Sequence, residues 1–251
     1  MAEPETLVTP EGRRIAVRRR PGTGPGVVFL HGLRSDMRGA KAQAVADWAA
    51  ARGRAVTRFD CSGHGESAGR FEEGAIGDWA EDAAAVLAAC DGPQVLVGSS
   101  MGGWLSLLLA RRMPGRIAGL VGIAAAPDFT EDLMWADATA DQRAALTRDG
   151  RIARPSDHGE PYVVTRRLIE DGRRHLVLRD PLDLPFPVRL LHGTADADVP
   201  PAVALRLLDH AAGPDIRLTL VKGADHRFST PDCLALVADT LEDVLRRCRN
   251  P

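Results

Sequence analysis

Two kinds of apolar pattern alternate along most of the chain. Short continuous apolar runs, rich in valine, leucine and isoleucine, predict strands that are buried on both faces. They are Val27–Leu30, Ala55–Phe59, Val95–Val97, Leu120–Ala124, Val188–Leu191 and Ile216–Val221. Between them, apolar residues spaced three and four positions apart predict helices. These segments are Ala40–Arg52, Gly77–Cys90, the run after Ser100, Ala202–Ala211 and Asp232–Arg247. The alternation predicts an α/β fold in which helices cover both faces of a mostly parallel sheet.

The alternation stops between Pro127 and Pro187. Here Asp128–Asp149 is acidic and predicts a helix, Ile152–Val164 predicts a hairpin, and Arg166–Arg174 predicts a short helix. A segment of this length between two strands is typical of an insertion over a ligand site. We therefore predict one domain over residues 1–251 with a cap or lid at 127–187.

Three apolar residues of this insertion are candidates for a substrate pocket. Phe129, Met134 and Trp135 fall on its first predicted helix, where they would line a pocket for an acyl chain. An apolar stripe on a helix is also the ordinary pattern of a hydrophobic core. The sequence leaves both interpretations open.

Composition and charge narrow the function classes. The chain has 251 residues, of which 45% are hydrophobic and 26% charged, which fits one large soluble domain. A net charge of −2 gives no general attraction to nucleic acid. No apolar run approaches the ~20 residues of a membrane span, and Met1–Arg20 lacks the apolar segment of a secretory signal. We expect a cytoplasmic protein with four reduced cysteines, no metal and no organic cofactor.

A glycine-rich turn follows the strand Val95–Val97 and leads into a predicted helix. Its residues Gly98-Ser99-Ser100-Met101-Gly102 form a G-x-S-x-G pattern, which places a serine on a sharp strand-to-helix turn. Glycine on both sides permits the close backbone approach that such a turn needs. The helix N-terminus that follows favours negative charge. We predict Ser100 as a nucleophile; the alternative is an ordinary glycine-rich turn.

A serine becomes a good nucleophile when a base takes its proton, and that base is usually a histidine oriented by a carboxylate. In this kind of sheet the expected chain order is serine, acid, histidine. Two polar clusters after Ser100 fit that order, because each directly follows a predicted strand. The first cluster offers Asp196 and Asp198, and the second offers His226.

Position within each cluster decides between the candidates. We predict Asp196 as the acid, since Asp198 directly precedes Val199-Pro200 and is placed to cap the next helix. We predict His226 as the base from its chain order and its position at a strand end. Six other histidines compete with it: His31 and His192 at strand ends, His64 in a loop, His158 and His175 in the insertion, and His210 in a helix.

Acyl chemistry also needs N–H donors for the oxygen anion that forms in the transition state. We predict the backbone N–H of Met101, directly after the nucleophile, and that of Leu33, in the turn after the strand Val27–Leu30. A plain strand-ending turn is the alternative for Leu33. The loop Asp60–Ser67 has the glycine spacing of a phosphate loop, but it lacks lysine and leads into no helix. We predict that this loop is scaffold and that Cys61 in it is a weak rival nucleophile.

These landmarks together resemble the α/β-hydrolase superfamily over nearly the whole chain. The matching features are His31-Gly32, the loop Asp60–Ser67, the Ser100 turn, the Asp196 loop and His226. A narrower resemblance links this sequence to the mitochondrial acyl-protein thioesterases, which remove S-palmitoyl groups and cleave acyl glucuronides. It rests on Gly92–Trp104, Arg189–Gly193 and Asp225–Arg227, together with Met37, Gly39 and Lys41-Ala42.

Two features depart from that narrower pattern. The chain shows no convincing transit peptide, which implies a bacterial relative, and His31 stands at the oxyanion loop where the animal members differ. The resemblance implies hydrolysis of thioesters or oxygen esters without fixing the acyl group.

The sequence thus predicts a serine hydrolase with a Ser100–His226–Asp196 triad and an acyl-enzyme intermediate. Its substrate would be a small molecule or an acylated protein. Two alternatives stay open: a small-molecule carboxylesterase, and a non-catalytic ligand-binding relative. A haloalkane dehalogenase or epoxide hydrolase would need aspartate at position 100. The acyl chain length, the leaving group and the oligomeric state are not indicated.

Overall fold

The fold is described from a computed structural model, which covers residues 3–156 and 159–248. Its strands are β1 (Glu5–Val8), β2 (Arg14–Arg20), β3 (Thr23–Leu30), β4 (Arg54–Phe59), β5 (Gln94–Ser99), β6 (Ile117–Ile123), β7 (Arg151–Ser156), β8 (Gly159–Thr165), β9 (Leu182–Asp183), β10 (Val188–Gly193), β11 (Ala211–Ala212) and β12 (Ile216–Val221). Its α-helices are α1 (Ala40–Ala51), α2 (Ile76–Ala88), α3 (Met101–Arg112), α4 (Ala140–Asp149), α5 (Arg166–Arg173), α6 (Pro201–His210) and α7 (Pro231–Arg247).

Eight of these strands form one sheet in the order β1-β2-β4-β3-β5-β6-β10-β12. The hairpin β1–β2 and the pair β2–β4 are antiparallel, whereas every pairing from β4 to β12 is parallel. The predicted α/β fold is therefore confirmed. Because parallel strands end at the same edge, the loops after β3, β5, β10 and β12 meet at one edge of the sheet.

The two faces of the sheet bury two separate layers of apolar side chains. Alternate residues of a strand point to opposite faces, so Val28 and Leu96 pack in one cluster with Trp79 of α2 and Leu105 of α3. Residues of the other parity pack in a second cluster with α1 and α7: Val27, Phe29, Val95 and Val97 with Trp48 and Val237. Burial on both faces explains why these strands read as continuous apolar runs.

The prediction that the insertion begins with one continuous helix is wrong. Instead of one helix over Asp128–Asp149, the chain forms a π-helix over Thr130–Trp135 and then α4. In the π-helix, the Ala136 N–H donates to the carbonyl of Glu131, five residues back, at 3.0 Å. A reciprocal capping box then begins α4, because Thr139 and Gln142 each accept from the other's backbone N–H. The predicted hairpin and short helix are confirmed as β7–β8 and α5.

The insertion lies between two strands that pair with each other. β6 and β10 are neighbours in register from Leu120↔Val188 to Ile123↔Leu191, so residues 127–187 form one excursion from the sheet. The excursion is held down by polar contacts to the domain. The side-chain N–H of Trp104 in α3 donates to the His175 carbonyl at 3.1 Å, and the Gly77 N–H of α2 donates to the Asp171 carboxylate at 2.6 Å. The role of residues 127–187 as a cap over the site stays a prediction.

None of the helices in the described part of the chain has the length and apolar character needed to cross a membrane.

Candidate active site

Ser100 lies at the tip of the turn between β5 and α3, in a backbone conformation that side-chain residues rarely adopt. Its φ is +53° and its ψ is −115°. The flanking glycines make this turn possible because the backbone passes too close for a side chain. A Cβ atom on Gly98 would lie 2.3 Å from the Gly102 carbonyl oxygen, and one on Gly102 would lie 2.1 Å from the Leu30 carbonyl oxygen. The G-x-S-x-G pattern therefore reflects packing against β3 and α3.

The loops after β10 and β12 bring an acid and a histidine to Ser100. The Nε2 atom of His226 lies 3.0 Å from the Ser100 Oγ atom, and its Nδ1 atom lies 2.8 Å from Oδ2 of Asp196. Both distances are within hydrogen-bonding range. β10 and β12 pair in register up to Gly193↔Val221, which sets the two loops side by side.

The environment of Asp196 separates it from Asp198. The Asp196 carboxylate is fully buried, while the His226 side chain remains 18% exposed and open to a substrate. The Oδ1 atom of Asp196 accepts from the N–H groups of Asp198 and Val199 at 3.0 and 2.8 Å. Asp198 is exposed. The structure thus places Asp196, and not its neighbour, against the histidine.

The turn His31-Gly32-Leu33 lies directly against the serine. A Cβ atom built on Gly32 would be 3.3 Å from Cβ of Ser100, and Leu33 and Ser100 line the same cavity. Met101 is the first residue of α3, where backbone N–H groups have no acceptor within the helix. One of the two predicted oxyanion donors therefore lies in the loop after β3, and the other lies at the start of α3 next to the serine.

A cavity of about 200 Å³ opens beside Ser100 and His226. Two cationic residues line it, Lys41 of α1 and Arg227. The Lys41 ammonium donates a hydrogen bond to the Arg227 carbonyl, and burial, together with the Arg227 charge, lowers the pKa of Lys41 to about 8. A second cavity of about 360 Å³ is lined by Arg34, His64, Phe71 and Tyr162 among others. We consider the smaller cavity the candidate site because it contains the reactive groups.

The predicted pocket residues lie elsewhere. Phe129 and Met134 are buried in the core, and the Phe129 ring packs edge-on against Trp104 with centroids 5.4 Å apart. Trp135 is covered by the Arg143 and Arg173 guanidinium groups, 5.2 and 4.6 Å from its ring centroid. None of the three lines either cavity described above. Their role in binding an acyl chain stays a prediction.

The rival groups have other tasks among the described residues. The His31 Nε2 atom accepts from the Cys61 N–H at 3.0 Å, and His64 packs against His31, Phe71 and Trp79. Burial raises the pKa of the Cys61 thiol well above its usual value, which disfavours the reactive thiolate. His175 contacts Asp171, and His210 contacts the Asp180 carbonyl. His158 lies outside the described residues.

Sequence reasoning missed two neighbours of the site. His192, taken only as a rival base, lies with its Nε2 atom 3.3 Å from Oδ2 of Asp196. Lys41 lines the cavity. Its signals in the sequence were its place in the narrower resemblance and its rarity, since Lys41 and Lys222 are the two lysines among 32 basic residues. His192 was marked by its strand-end position and by its place in the resembling segment Arg189–Gly193.

One group of side chains in the described ranges has the composition of a metal site. Candidate ligand atoms of Asp196, Asp198 and His226 lie within 4.8 Å of one another. Two of these three side chains are already bonded to each other, and His226 is also bonded to Ser100. We assign no metal to this group.

Comparison with known proteins agrees with this geometry. The family model described as serine aminopeptidase, S33 (Hydrolase_4) matches residues 25–167, more than half of the chain. Palmitoyl-protein thioesterase ABHD10, mitochondrial, of Rattus norvegicus is 34% identical over 242 residues, which are 95% of this chain and 81% of the relative. The chain belongs to this α/β-hydrolase family.

Two solved structures match the fold of this chain over nearly its full length. A structure from Agrobacterium vitis S4 superposes with a TM-score of 0.93 and 38% identity, covering 97% of this hydrolase and 98% of that chain. Alpha/beta hydrolase domain-containing protein 10 from mouse gives a TM-score of 0.91 and 33% identity, covering 98% and 99%. The predictions of family and of an enzyme acting on ester or thioester bonds are confirmed. The cytoplasmic location stays a prediction, since the rat relative is named as mitochondrial.

Proposed function

We propose that this hydrolase cleaves acyl thioesters and esters through Ser100, His226 and Asp196. The observation that carries the proposal is the continuous series of hydrogen bonds from the Ser100 hydroxyl through His226 to the buried Asp196 carboxylate. A serine, a base and an orienting acid in this geometry are the requirements for nucleophilic catalysis.

Each group has one task in the reaction. His226 Nε2 takes the Ser100 proton as the oxygen attacks the acyl carbonyl, and Asp196 stabilises the imidazolium that forms. The N–H groups of Leu33 and Met101 hold the oxygen anion, where one such donor is worth on the order of 3 kcal/mol of barrier. His226 then gives its proton to the leaving thiol or alcohol. Water, deprotonated by the same histidine, attacks the acyl-enzyme and releases the acid.

The substrate class that we propose is an S-acylated protein or a small acyl ester. Support comes from the relative at 34% identity, which is named a palmitoyl-protein thioesterase. The cavity beside Ser100 is lined by Leu33, Lys41 and Arg227 among others, so two cationic residues lie near the proposed position of the scissile bond. No cofactor takes part in the proposed reaction.

The first prediction tests the nucleophile. Ser100→Ala should lower kcat for p-nitrophenyl esters on the order of 10⁶-fold, since a hydroxyl and its base act as one unit. Labelling by a fluorophosphonate probe should disappear with it. Cys61→Ala is the matched control, because it removes the rival nucleophile and should keep both activity and labelling.

The outcomes separate the remaining functions. Activity that survives in folded Ser100→Ala would contradict the proposal. A wild-type protein that binds acyl esters but neither turns them over nor labels would be a non-catalytic relative. Competition between an S-acyl cysteine peptide, an acyl glucuronide and a simple ester then distinguishes a thioesterase from a general carboxylesterase, through the ratio of kcat/KM values.

A further inference from the structure

A second histidine reaches the carboxylate of Asp196. His192 is the fifth residue of β10 and is 1% exposed. Its Nε2 atom lies 2.9 Å from the Val199 carbonyl oxygen and 3.3 Å from Oδ2 of Asp196. A carbonyl oxygen only accepts hydrogen bonds, so Nε2 carries the proton and donates it to the Val199 carbonyl, with the Asp196 carboxylate close beside it.

These contacts tie the acid loop to the sheet. Val199 donates its N–H to Oδ1 of Asp196 at 2.8 Å and accepts at its carbonyl from His192. The peptide groups on both sides of Val199 are therefore hydrogen-bonded, one to the Asp196 carboxylate and the other to the His192 side chain on β10. Asp196 consequently has little freedom to turn away from His226.

The other nitrogen of His192 is the informative atom. Nδ1 is buried and has no hydrogen-bond partner among the described residues. A proton placed there would be a buried donor without an acceptor, which is unfavourable. The geometry therefore favours the tautomer whose proton is on Nε2.

We propose that His192 is a positioning residue whose Nε2–H holds the Val199 carbonyl and thereby fixes the loop that orients the Asp196 carboxylate. The inference rests on the triad proposed above. A carboxylate fixed in this way keeps its position against Nδ1 of His226 and stabilises the imidazolium that forms there.

The direct test observes the ring itself. In protein labelled with ¹⁵N-histidine, His192 should carry a proton on Nε2, in a hydrogen bond to a carbonyl oxygen, with its signals assigned from the spectrum of His192→Gln. A His192 ring whose only proton is on Nδ1 would overturn the proposal. This measurement does not depend on turnover, so it stays informative if Ser100→Ala shows that the proposed function is wrong.

A kinetic test compares two substitutions that differ in the donor. His192→Phe keeps a ring but removes the N–H, whereas the side-chain amide of His192→Gln supplies an N–H near the position of Nε2. We expect His192→Phe to lower kcat about 10- to 100-fold with KM nearly unchanged, less than the ~10⁴-fold effect of losing the acid's function. His192→Gln should restore most of this loss.

Rescue by the amide separates positioning from a general role in stability. Thermal unfolding checks that both variants are folded. Equal activities of the two folded variants would show that His192 serves only the packing of β10 and would overturn the proposal.

Discussion

Ser100 is held in a conformation that costs free energy outside this context. A residue with a side chain at φ +53° and ψ −115° carries strain on the order of 1–3 kcal/mol. Two bonds to the neighbouring strand and its loop hold it there: its N–H donates to the Ile123 carbonyl at 2.9 Å, and its carbonyl accepts from the Ala126 N–H at 3.1 Å. The hydroxyl is therefore presented by backbone geometry and not by a flexible side chain alone.

The two aspartates of the acid loop give a matched pair of substitutions. Asp196→Asn should lower kcat on the order of 10⁴-fold, because an amide cannot hold the active tautomer of His226 or stabilise its imidazolium. Asp198→Asn should change kcat by less than about threefold, since Asp198 is exposed and exposed polar substitutions have small effects. Steady-state kinetics on one ester substrate measures both.

The Asp196→Asn and Asp198→Asn variants also allow a check on folding. Asp196→Asn should retain the native circular dichroism spectrum and remain reactive, though slowly, toward a fluorophosphonate. The assignment of the acid would be wrong if Asp198→Asn lost activity to the same extent as Asp196→Asn.

At this scale the sequence predicted most of the site for a simple physical reason. Ser100, Asp196 and His226 each follow a buried strand, and parallel strands deliver such residues to one edge. His192 could not be assigned in the same way. Its contact with Asp196 depends on how the loop after β10 folds back over its own strand, and loop conformation leaves little trace in apolar periodicity.

Helix α3 packs against the sheet more closely than a side chain would allow, and this closeness is testable. In Gly102→Ala the new methyl group would meet the Leu30 carbonyl oxygen at 2.1 Å, and a backbone atom of a central strand cannot move aside cheaply. We expect a loss of about 1–3 kcal/mol or more in the free energy of unfolding, together with reduced kcat from displacement of the serine turn.

Gly115→Ala is the control for that experiment. A Cβ atom at Gly115 meets nothing within 4 Å, so its substitution should leave stability nearly unchanged in the same denaturant titration. Equal stabilities of the two variants would contradict the close packing of α3 on β3.

Helix α5 of the insertion is joined to the start of α2 by a titratable contact. Asp171 accepts from the Gly77 N–H at 2.6 Å and lies 3.4 Å from the His175 Nδ1 atom. Burial alone would raise the pKa of Asp171, but bonds from His175 and Gly77 hold it at about 2. The Asp171 carboxylate in turn raises the pKa of His175.

These shifts predict how the contribution of Asp171 depends on pH. A lowered carboxylate pKa stabilises the fold above about pH 4, and this stabilisation is lost as the pH falls towards 2. A raised histidine pKa stabilises below about pH 6.5, and this part is lost as the pH rises through the folded value. Asp171→Asn should therefore lower the free energy of unfolding by about 2 kcal/mol near pH 5.5, and by less at pH 3 and pH 8.

Denaturant unfolding at the three pH values measures this profile. His175→Gln should remove the alkaline part of the dependence and reduce the acidic part, which the Gly77 N–H bond to Asp171 still supports. A difference between wild type and Asp171→Asn that is the same at all three pH values would refute the charge pairing.

Across the whole molecule, the sequence predicted the strands and helices of the main sheet, but it predicted the structure of the insertion only in part. Strands buried on both faces give continuous apolar runs, so β3 to β12 of the main sheet were visible without coordinates. A Thr-x-x-Gln capping box in the sequence also indicates that a new helix begins after Thr139. The acidic character of Asp128–Asp149 nevertheless favoured the prediction of one helix. The placement of Phe129 and Trp135 was not readable, because a core residue and a pocket residue share the same helical spacing.

The pairing of β6 with β10 makes the insertion an exchangeable module. Its two ends enter and leave neighbouring strands, while Ser100, Asp196 and His226 all lie on segments outside it. A different segment spliced between Ala126 and Val188 would keep the strand register that positions these three residues. Under the proposed function, evolution or a protein engineer can thus exchange this segment while the three proposed reacting groups keep their positions.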